Sequence, residues 1–288
     1  MKKILVTGSS GQLGKEIVKQ LKQKGYDVLG IDMIEAETTH QLIDIREKEQ
    51  INMITKGMDA IIHTAALHGK HFELNFPREE FIKTNIDGTF NLLNACVKNS
   101  IPKFLYTSTT SIYGKAMVNP EQAVWVDESL MPDPRDIYDI TKLTAELLCR
   151  DYFEKEGIET TILRVSRFLP EDDNTKAIHR IYRGLDERDG AAAHILALEK
   201  QFKTFEIYNI SNESPFQKED LKALITNPKE VMKQYYPTIE AIFETKGWVF
   251  PLKIDRVYSI YKAKEELGYK PIYNFSHFME QLSENTEG

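Results

Sequence analysis

Cysteine is scarce in this 288-residue chain, and long apolar runs are missing. Cys96 and Cys149 each lie in an apolar helical pattern, which indicates buried thiols in a reducing compartment rather than a disulfide or a metal site. The apolar run that follows Met1 ends at once in Thr7-Gly8, and nowhere do about eighteen apolar residues run together. We therefore expect a cytoplasmic protein with neither a secretion signal nor a membrane partner.

A surplus of positive charge is also lacking. The 44 acidic and 37 basic side chains give a net charge of −7, and no basic block appears along the chain. A nucleic-acid partner is therefore not expected, and small-molecule chemistry is favoured. With 41% hydrophobic residues, the chain is long enough for one large α/β domain or two smaller lobes.

What the sequence does contain is a strand, a glycine turn and a helix in immediate succession. Residues 3–7 form a short apolar, β-branched run, and the Gly-x-x-Gly-x-x-Gly turn after it opens a helical pattern. Backbone N–H groups and the positive end of a helix dipole bind a pyrophosphate at such a turn, although glycines alone can also mean only a tight turn. We predict dinucleotide contacts from Gly8, Gly11, Gln12, Leu13 and Gly14.

Asp32 ends the second predicted strand, about twenty residues after the glycine turn, where an adenosine ribose would present its hydroxyls. Its charge would repel a 2′-phosphate, and no arginine follows closely to offset it, so NAD is favoured over NADP. The alternative is that Asp32 only starts a loop. Asp44 and Ile45 are expected to bracket the adenine.

The third predicted strand covers residues 59–66 and ends in three small residues, Thr64, Ala65 and Ala66, against which a cofactor can lie. His68 follows in a loop and is assigned a substrate contact, with a solvated histidine as the alternative. A helix is expected over about 78–98. The fourth strand, 103–107, leads into four consecutive hydroxyl residues at the strand end, which is where open α/β sheets bind ligands.

Tyr138 and Lys142 are spaced i, i+4, so on a helix they project from one face. A lysine held close to a tyrosine stabilises the phenolate and makes the phenol a better base. The pair alone is equally compatible with an exposed polar pair.

Together, these segments resemble the extended short-chain dehydrogenase/reductases, the NAD-dependent epimerase/dehydratase family. The resemblance rests on six motifs in the expected order: Thr7-Gly8-x-x-Gly11-x-x-Gly14, Asp32, His63-Thr64-Ala65-Ala66, Asn85-Ile86-x-Gly88-Thr89, Thr107-Ser108-Thr109-x-x-Ile112-Tyr113-Gly114 and Tyr138-x-x-x-Lys142.

The resemblance implies a catalytic group of Thr109, Tyr138 and Lys142. Tyr138 would take the proton of a sugar hydroxyl, Thr109 would hydrogen-bond the same oxygen, and Lys142 would bind the nicotinamide ribose and lower the pKa of Tyr138. Asn85 and Thr107 are added to the cofactor-binding residues. The residues expected to bind substrate are His68, Thr109, Thr110, Ser111, Tyr138, Arg167 and Arg180.

Departures from the family pattern narrow the reaction. Dehydratases and decarboxylases of this kind carry Asp or Glu where this chain has Thr110, so those reactions are disfavoured. Arg167 replaces an asparagine found in many epimerases, the connection from Pro170 to Arg188 is short, and the C-terminal arginine motif is only faintly matched. The arginines can clamp a diphosphate or a sugar carboxylate, and only Arg183 is expected on the solvated surface.

We therefore predict an α/β protein with a Rossmann-type doubly wound parallel sheet and a small, interleaved C-terminal substrate lobe. The NAD-binding domain is placed at 1–166, with 188–210 returning to it, and the lobe at 167–187 and 211–288. The leading function is a nucleotide-sugar 4-epimerase, and the alternatives are a dehydrogenase or ketoreductase on a free sugar or uronic acid and a non-catalytic NAD-binding regulatory module. The resemblance further implies a homodimer formed through the helices at about 79–98 and 138–155.

Overall fold

The computed structural model describes residues 2–68, 71, 74–168 and 170–284. A seven-stranded, entirely parallel sheet forms its centre. Its strands are β1 (Lys3–Thr7), β2 (Asp27–Asp32), β3 (Gln41–Leu42), β4 (Ala60–His63), β5 (Lys103–Thr109), β7 (Glu159–Val165) and β8 (Glu206–Ile210). They lie in the order β3-β2-β1-β4-β5-β7-β8. The strand order reverses between β1 and β4, which is where doubly wound sheets bind ligands.

Helices cover both faces of this sheet because its central strands are apolar on both sides. One face packs against α1 (Gln12–Gln23) and α7 (Glu187–Glu199). The other face packs against α2 (Lys48–Ile54), α4 (Gly88–Asn99) and α5 (Ile137–Glu156). The predicted doubly wound α/β fold is therefore confirmed.

The helix predicted at 78–98 is not regular. It consists of α3 (Arg78–Phe81), a π-helical segment (Ile82–Asp87) and α4, and a second π-helical segment, Ala263–Leu267, ends at Gly268. Strand β5 is longer than predicted, because its pairing with β7 continues to Thr109 opposite Val165. Thr109 is consequently the last residue of a strand instead of part of a loop.

A separate apolar cluster lies outside the sheet. It joins α6 (Asp173–Tyr182), α8 (Leu221–Thr226), α9 (Pro228–Tyr235), α10 (Ile239–Lys246) and α11 (Phe275–Glu284). A two-stranded parallel sheet of β6 (Val124–Val126) and β9 (Arg256–Tyr258) borders it. Residues 123–126, which the sequence placed in the NAD-binding domain, thus pack with C-terminal segments.

The predicted domain ranges also include Met1, residues 69–70 and 72–73, Leu169 and residues 285–288, which lie outside the described residues. Within the described part of the chain, no helix is both long enough and apolar enough to cross a membrane.

Candidate functional site

The glycine turn packs directly on the end of β4. Gly8 has a positive φ of 71°, and a Cβ there would lie 2.6 Å from the backbone nitrogen of Ala65. A Cβ on Gly14 would lie 2.0 Å from the carbonyl oxygen of Gly8. Thr64 Oγ1 donates to the carbonyl oxygen of Thr7 at 2.7 Å and holds the two strand ends together. Side chains at these glycines would therefore push apart the turn, the helix and β4.

The N-terminus of α1 is open to an anion. Gly11 precedes the helix, no side chain caps it, and its first turn carries no acidic residue. Free N–H groups and the helix dipole at this end therefore suit a phosphate. Gln12, in the same turn, also lines a cavity between the turn and α6.

Asp32 is fixed beside this turn. Its Oδ2 accepts from the backbone N–H of Ser10 at 3.0 Å, and its Oδ1 accepts from that of Met33 at 2.7 Å. The carboxylate therefore sits at the end of β2, next to the phosphate-binding turn, as a ribose-binding acid requires.

Two predicted adenine contacts are engaged elsewhere through their side chains. Asp44 forms an ion pair with Arg46 at 2.6 Å. Ile45 is buried and packs against Gly88, so closely that a Cβ on Gly88 would lie 2.5 Å from Ile45 Cδ1. The Ile45 side chain therefore belongs to the core, and its contact with the adenine stays a prediction.

The residues of the predicted catalytic group meet at the carboxyl end of β5. Thr109 ends that strand, and its side chain lies near Tyr138, which is in the first turn of α5. One turn later, Lys142 Nζ donates to the carbonyl oxygen of Thr107 at 2.6 Å and lies 4.1 Å from the centre of the Tyr106 ring.

Burial decides the protonation of this pair. It raises the pKa of Tyr138 well above its usual value, against the lowering influence of the nearby Thr109 hydroxyl, and the carboxylates of Asp139 and Asp136 add to the rise. Burial also lowers the pKa of Lys142 to about 7, although the Glu146 carboxylate opposes this. The lowering of the Tyr138 pKa by Lys142 together with the oxidised cofactor stays a prediction.

Asn85 is buried and fully used by the protein. Its Oδ1 accepts from the N–H of Leu67, and its Nδ2 donates to the carbonyl oxygen of Leu67 and to Thr141 Oγ1. These bonds, of 2.8, 2.9 and 3.0 Å, tie the segment after β4 to α5. The Asn85 amide thus holds the protein segments together, and its direct contact with the cofactor stays a prediction.

Two buried histidines hydrogen-bond threonines near the carboxyl ends of β1 and β5. His194 Nδ1 lies 2.7 Å from the carbonyl oxygen of Gly190, which can only accept, so Nδ1 carries the proton and Nε2 accepts from Thr107 Oγ1 at 2.8 Å. Burial lowers the pKa of His194 to about 4. His63 bridges Thr7 and Thr89, and burial followed by the Lys142 charge holds its pKa well below the usual range.

A buried ion pair anchors α5 one turn beyond Lys142. Arg164 of β7 donates to both carboxylate oxygens of Glu146, at 3.0 and 2.7 Å, and its Nη1 donates to the hydroxyl of Tyr113 at 3.0 Å. Tyr113 in turn donates to Asn209 Oδ1 at 2.8 Å. The sequence analysis missed this network, but a charged residue inside the apolar run of β7 was the signal that a buried partner exists.

A cavity of about 330 Å³ lies between Gln12 and α6. Its lining includes Arg167 and Arg180, the two arginines predicted to bind substrate, and both already have carboxylate partners. Arg180 is buried and donates to Asp186 Oδ2 at 2.7 Å, and Arg188 binds the same carboxylate. Burial alone would raise the pKa of Asp186, but hydrogen bonds from Arg188 and Arg180 hold it at about 2.

The other arginines near this cavity are paired as well. Arg167 donates to Glu171, whose second oxygen lies 2.7 Å from His179 Nδ1. Arg183 donates to His179 Nε2 at 2.7 Å and is half-buried with its Nε out of solvent, so its predicted solvated position is wrong. Arg180 is likewise corrected from a free substrate ligand to a member of a buried ion pair.

The remaining predicted substrate residues divide into two groups. Ser111 is half-buried; its N–H donates to Thr109 Oγ1 and its Oγ accepts from Arg135 Nη2, both at 3.1 Å. His68 is also half-buried, and its N–H donates to His71 Nδ1 at 3.1 Å. Thr110, in contrast, is only 3% exposed, so we correct its assignment to one in the core.

This fold, with its glycine turn beside an acidic strand end, defines a dinucleotide-binding α/β protein. A model of the NAD dependent epimerase/dehydratase family matches residues 4–187, and the chain belongs to that family. NAD is accordingly its cofactor, and the uncapped glycine turn with Asp32 beside it fits that molecule.

Curated relatives match about three fifths of the chain. A Bacillus subtilis (strain 168) protein, named an uncharacterized UDP-glucose epimerase YtcB, is 32% identical over 200 residues, 63% of this chain and 61% of its own length. A uronate dehydrogenase of Pseudomonas syringae pv. tomato is 26% identical over 180 residues, 60% of this chain and 62% of its own. This chain thus spans about three fifths of the length of each relative.

A solved structure has the same fold over the full length. The UDP-N-acetylglucosamine 4-epimerase from Bacillus cereus superposes with a TM-score of 0.72 at 24% identity, covering 100% of both chains. At that identity the likeness shows the fold alone.

Proposed function

We propose that the chain oxidises a sugar hydroxyl with NAD at the carboxyl end of β5. The observation that carries the proposal is the meeting of Thr109, Tyr138 and Lys142 beside the glycine turn. The retention of all three residues argues against a non-catalytic NAD-binding module.

The roles follow from the contacts. Tyr138 accepts the proton of the sugar hydroxyl, and Thr109, which lies near Tyr138, stabilises the charge that develops on the same oxygen. Lys142 holds the nicotinamide ribose and supplies positive charge beneath the tyrosine. Bound NAD supplies the hydride acceptor and, in its oxidised form, a positive charge. Burial raises the pKa of Tyr138 in the protein alone, so the phenol would have to lose its proton under the positive charges of Lys142 and bound NAD before it accepts that of the sugar.

For the substrate, our first candidate is a nucleotide sugar that undergoes 4-epimerisation. Support comes from the similarity to the Bacillus subtilis protein named an uncharacterized UDP-glucose epimerase. In this reaction the carbon is oxidised and then reduced on its other face, so no NADH accumulates. Thr110 stands where an acid would promote elimination, which supports epimerisation over dehydration.

The second candidate is a dehydrogenase acting on a free sugar or uronic acid. It is favoured by a specific observation: Arg167, Arg180 and Arg188 are already paired with Glu171 or Asp186, so the cavity offers a diphosphate little uncompensated charge. The similarity to uronate dehydrogenase supports it further.

One experiment separates the two candidates. A panel of nucleotide sugars and uronic acids is incubated with the protein and NAD, and NADH absorbance and the NMR spectrum of the sugar are followed together. Epimer without net NADH supports the first candidate, and stoichiometric NADH from a free uronate supports the second. If every substrate stays unchanged although NAD binds, the proposed function is refuted.

The apolar cluster around α6 and α8–α11 is proposed as the core of the substrate lobe. Its position beside the cavity, at the end of the glycine turn, supports this role. The lobe ranges from the sequence are extended by residues 123–126, which pack with it.

A homodimer through the helices at 79–98 and 138–155 is also proposed. Large apolar side chains are exposed along both segments: Ile82, Phe90, Val97, Ile140 and Leu147. Sedimentation velocity measures this directly, and a monomer at micromolar concentration would contradict it. The free, buried thiols of Cys96 and Cys149 support the expected cytoplasmic location.

A further inference from the structure

Arg135 is a cation next to the reaction centre that the sequence analysis did not single out. It lies three residues before Tyr138, and its Nη2 donates to Ser111 Oγ at 3.1 Å. The N–H of Ser111 donates to Thr109 Oγ1, also at 3.1 Å, and the Thr109 hydroxyl lies near Tyr138. The guanidinium is therefore linked through a single residue to the oxygen of Thr109 that contacts the substrate hydroxyl in our proposal.

The charge of Arg135 is less compensated than that of the other arginines. Its ion pair with Asp139 has an Nε–Oδ2 distance of 3.4 Å, whereas Arg180 and Arg188 approach Asp186 to 2.7 Å. Among the described residues, it is the longest of the ion pairs formed by arginine. At 3.4 Å the N–H···O contact is longer than a usual hydrogen bond, so this pair is held less tightly than the other arginine pairs.

Asp139 nevertheless fixes where Arg135 lies. The buried Oδ2 of Asp139 accepts from the backbone N–H of Arg135 at 3.2 Å, and Asp136 caps α5 by accepting from the N–H of Asp139 at 3.0 Å. The arginine side chain itself is 44% exposed. Its backbone is thus held firmly, while its guanidinium, hydrogen-bonded through Nη2 to Ser111 and in a long contact with Asp139 through Nε, faces solvent.

We propose that Arg135 is a specificity-determining residue that binds an oxyanion, carboxylate or phosphate, carried by the sugar close to the reacting carbon. This inference rests on the proposed function and names the chemistry of its substrate. A guanidinium binds either group through paired N–H donors, and Ser111 Oγ offers a further hydroxyl at the same place. Arg167 and Arg180, the arginines selected from the sequence, are left as structural ion-pair partners.

The test measures binding, so it does not depend on turnover. NADH-saturated protein, which cannot oxidise a sugar, is titrated by ligand-detected NMR with glucuronate, glucose 6-phosphate and glucose. The anionic sugars should bind about tenfold more tightly than glucose, because a charge-assisted hydrogen bond is lost with the neutral sugar. The anion that binds identifies whether a carboxylate or a phosphate is recognised.

Arg135→Gln should remove that preference, while the Kd values of glucose and NADH change less than about twofold. Arg135→Lys keeps the positive charge but lacks the paired N–H donors of the guanidinium, so it should retain part of the preference. Partial retention would show that the loss in the glutamine variant comes from the missing charge and not from misfolding. The matched control, Arg167→Gln, should leave the preference within about threefold of wild type.

The inference is overturned if neutral and anionic sugars bind equally, if none binds, or if Arg167→Gln removes the preference and Arg135→Gln does not. Failure of the proposed function appears separately, as absence of hydride transfer in the turnover assay. An Arg135-dependent preference without turnover would refute the function and leave the binding site standing.

Discussion

The two sides of the candidate site are built differently. On the cofactor side, the contacts run through backbone and small residues: Gly8 against Ala65, Thr64 against Thr7, and the uncapped start of α1. On the side of the cavity, long charged side chains are paired with one another, as in Arg180–Asp186 and Arg167–Glu171. A backbone-built site leaves little choice of ligand, whereas paired side chains can change partners between related proteins.

The difference extends to how charge is treated. On the cofactor side, burial lowers the pKa values of His194 and His63, which keeps both side chains neutral, and lowers the pKa of Lys142 to about 7. Around the cavity the charges persist because carboxylates compensate them, and the pKa of Asp186 is about 2. The following predictions test this contrast, beginning with the largest expected effect.

Tyr138→Phe should reduce kcat by about 10²–10⁴, because it removes the proton acceptor with little change in volume. The Kd for NAD should stay within about twofold, since the glycine turn and Asp32 are untouched. Stopped-flow turnover and calorimetry measure the two quantities, and Tyr261→Phe, at a 70% exposed tyrosine, is the matched control. Turnover equal to wild type would assign the proton transfer to another base.

Glu146→Gln should lower the free energy of unfolding by about 3–5 kcal/mol, because Arg164 is then left buried without its counter-charge. Urea denaturation measures the change. The exposed Glu154 lies on the same helix, and Glu154→Gln should cost less than about 0.5 kcal/mol. Equal effects of the two substitutions would show that the buried pair contributes no more than a surface charge.

Much of the cofactor side could be predicted from the sequence because it depends on local patterns. The turn between β1 and α1, Asp32 at the end of β2 and the strand at Glu206–Ile210 all follow from short runs of residues. The i, i+4 spacing likewise placed Tyr138 and Lys142 on one helix. Even here the ends of elements were missed, because the pairing of β5 with β7 extends the strand to Thr109.

The cavity side depends on which distant residues meet, and no local pattern contains that information. Arg180 looks the same in the sequence whether it is free or bound to Asp186, and Thr110 looks exposed until the fold buries it. Arg135 stands in a proline-rich loop whose path alone brings it to Ser111. The preference for NAD could be predicted from one carboxylate, whereas the substrate depends on pairings that only the structure shows.

Acidification should destabilise the cofactor side through His194. Because its folded pKa of about 4 lies below its usual value, the unfolded chain binds more protons between those values. The stabilisation is complete above about pH 6.5 and is lost as the pH falls towards 4, by up to ~1.4 kcal/mol per pH unit. His63 acts in the same direction.

Urea denaturation between pH 7 and pH 4 measures this slope. His194→Gln should flatten it, since glutamine can donate to Gly190 and accept from Thr107 without titrating. His277→Gln, outside the sheet, is the control and should leave the slope at its wild-type value. A wild-type slope in the His194 variant would assign the acid sensitivity to other groups.

Asp32→Ala should have the smallest effect and bear most directly on the contrast between the two sides. The Asp32 carboxylate, held by the N–H groups of Ser10 and Met33, repels a 2′-phosphate, so wild-type protein should bind NAD more tightly than NADP. Removing one charge at a partly exposed position should narrow that gap by about 1 kcal/mol, or roughly fivefold, chiefly by improving NADP. Calorimetric titration of both cofactors gives the two Kd values, and Asp27→Ala, at the exposed start of β2, should leave their ratio unchanged. Tighter binding of NADP by wild type would contradict the assigned role of Asp32, and an unchanged gap in the variant would mean that the backbone of the glycine turn sets the preference.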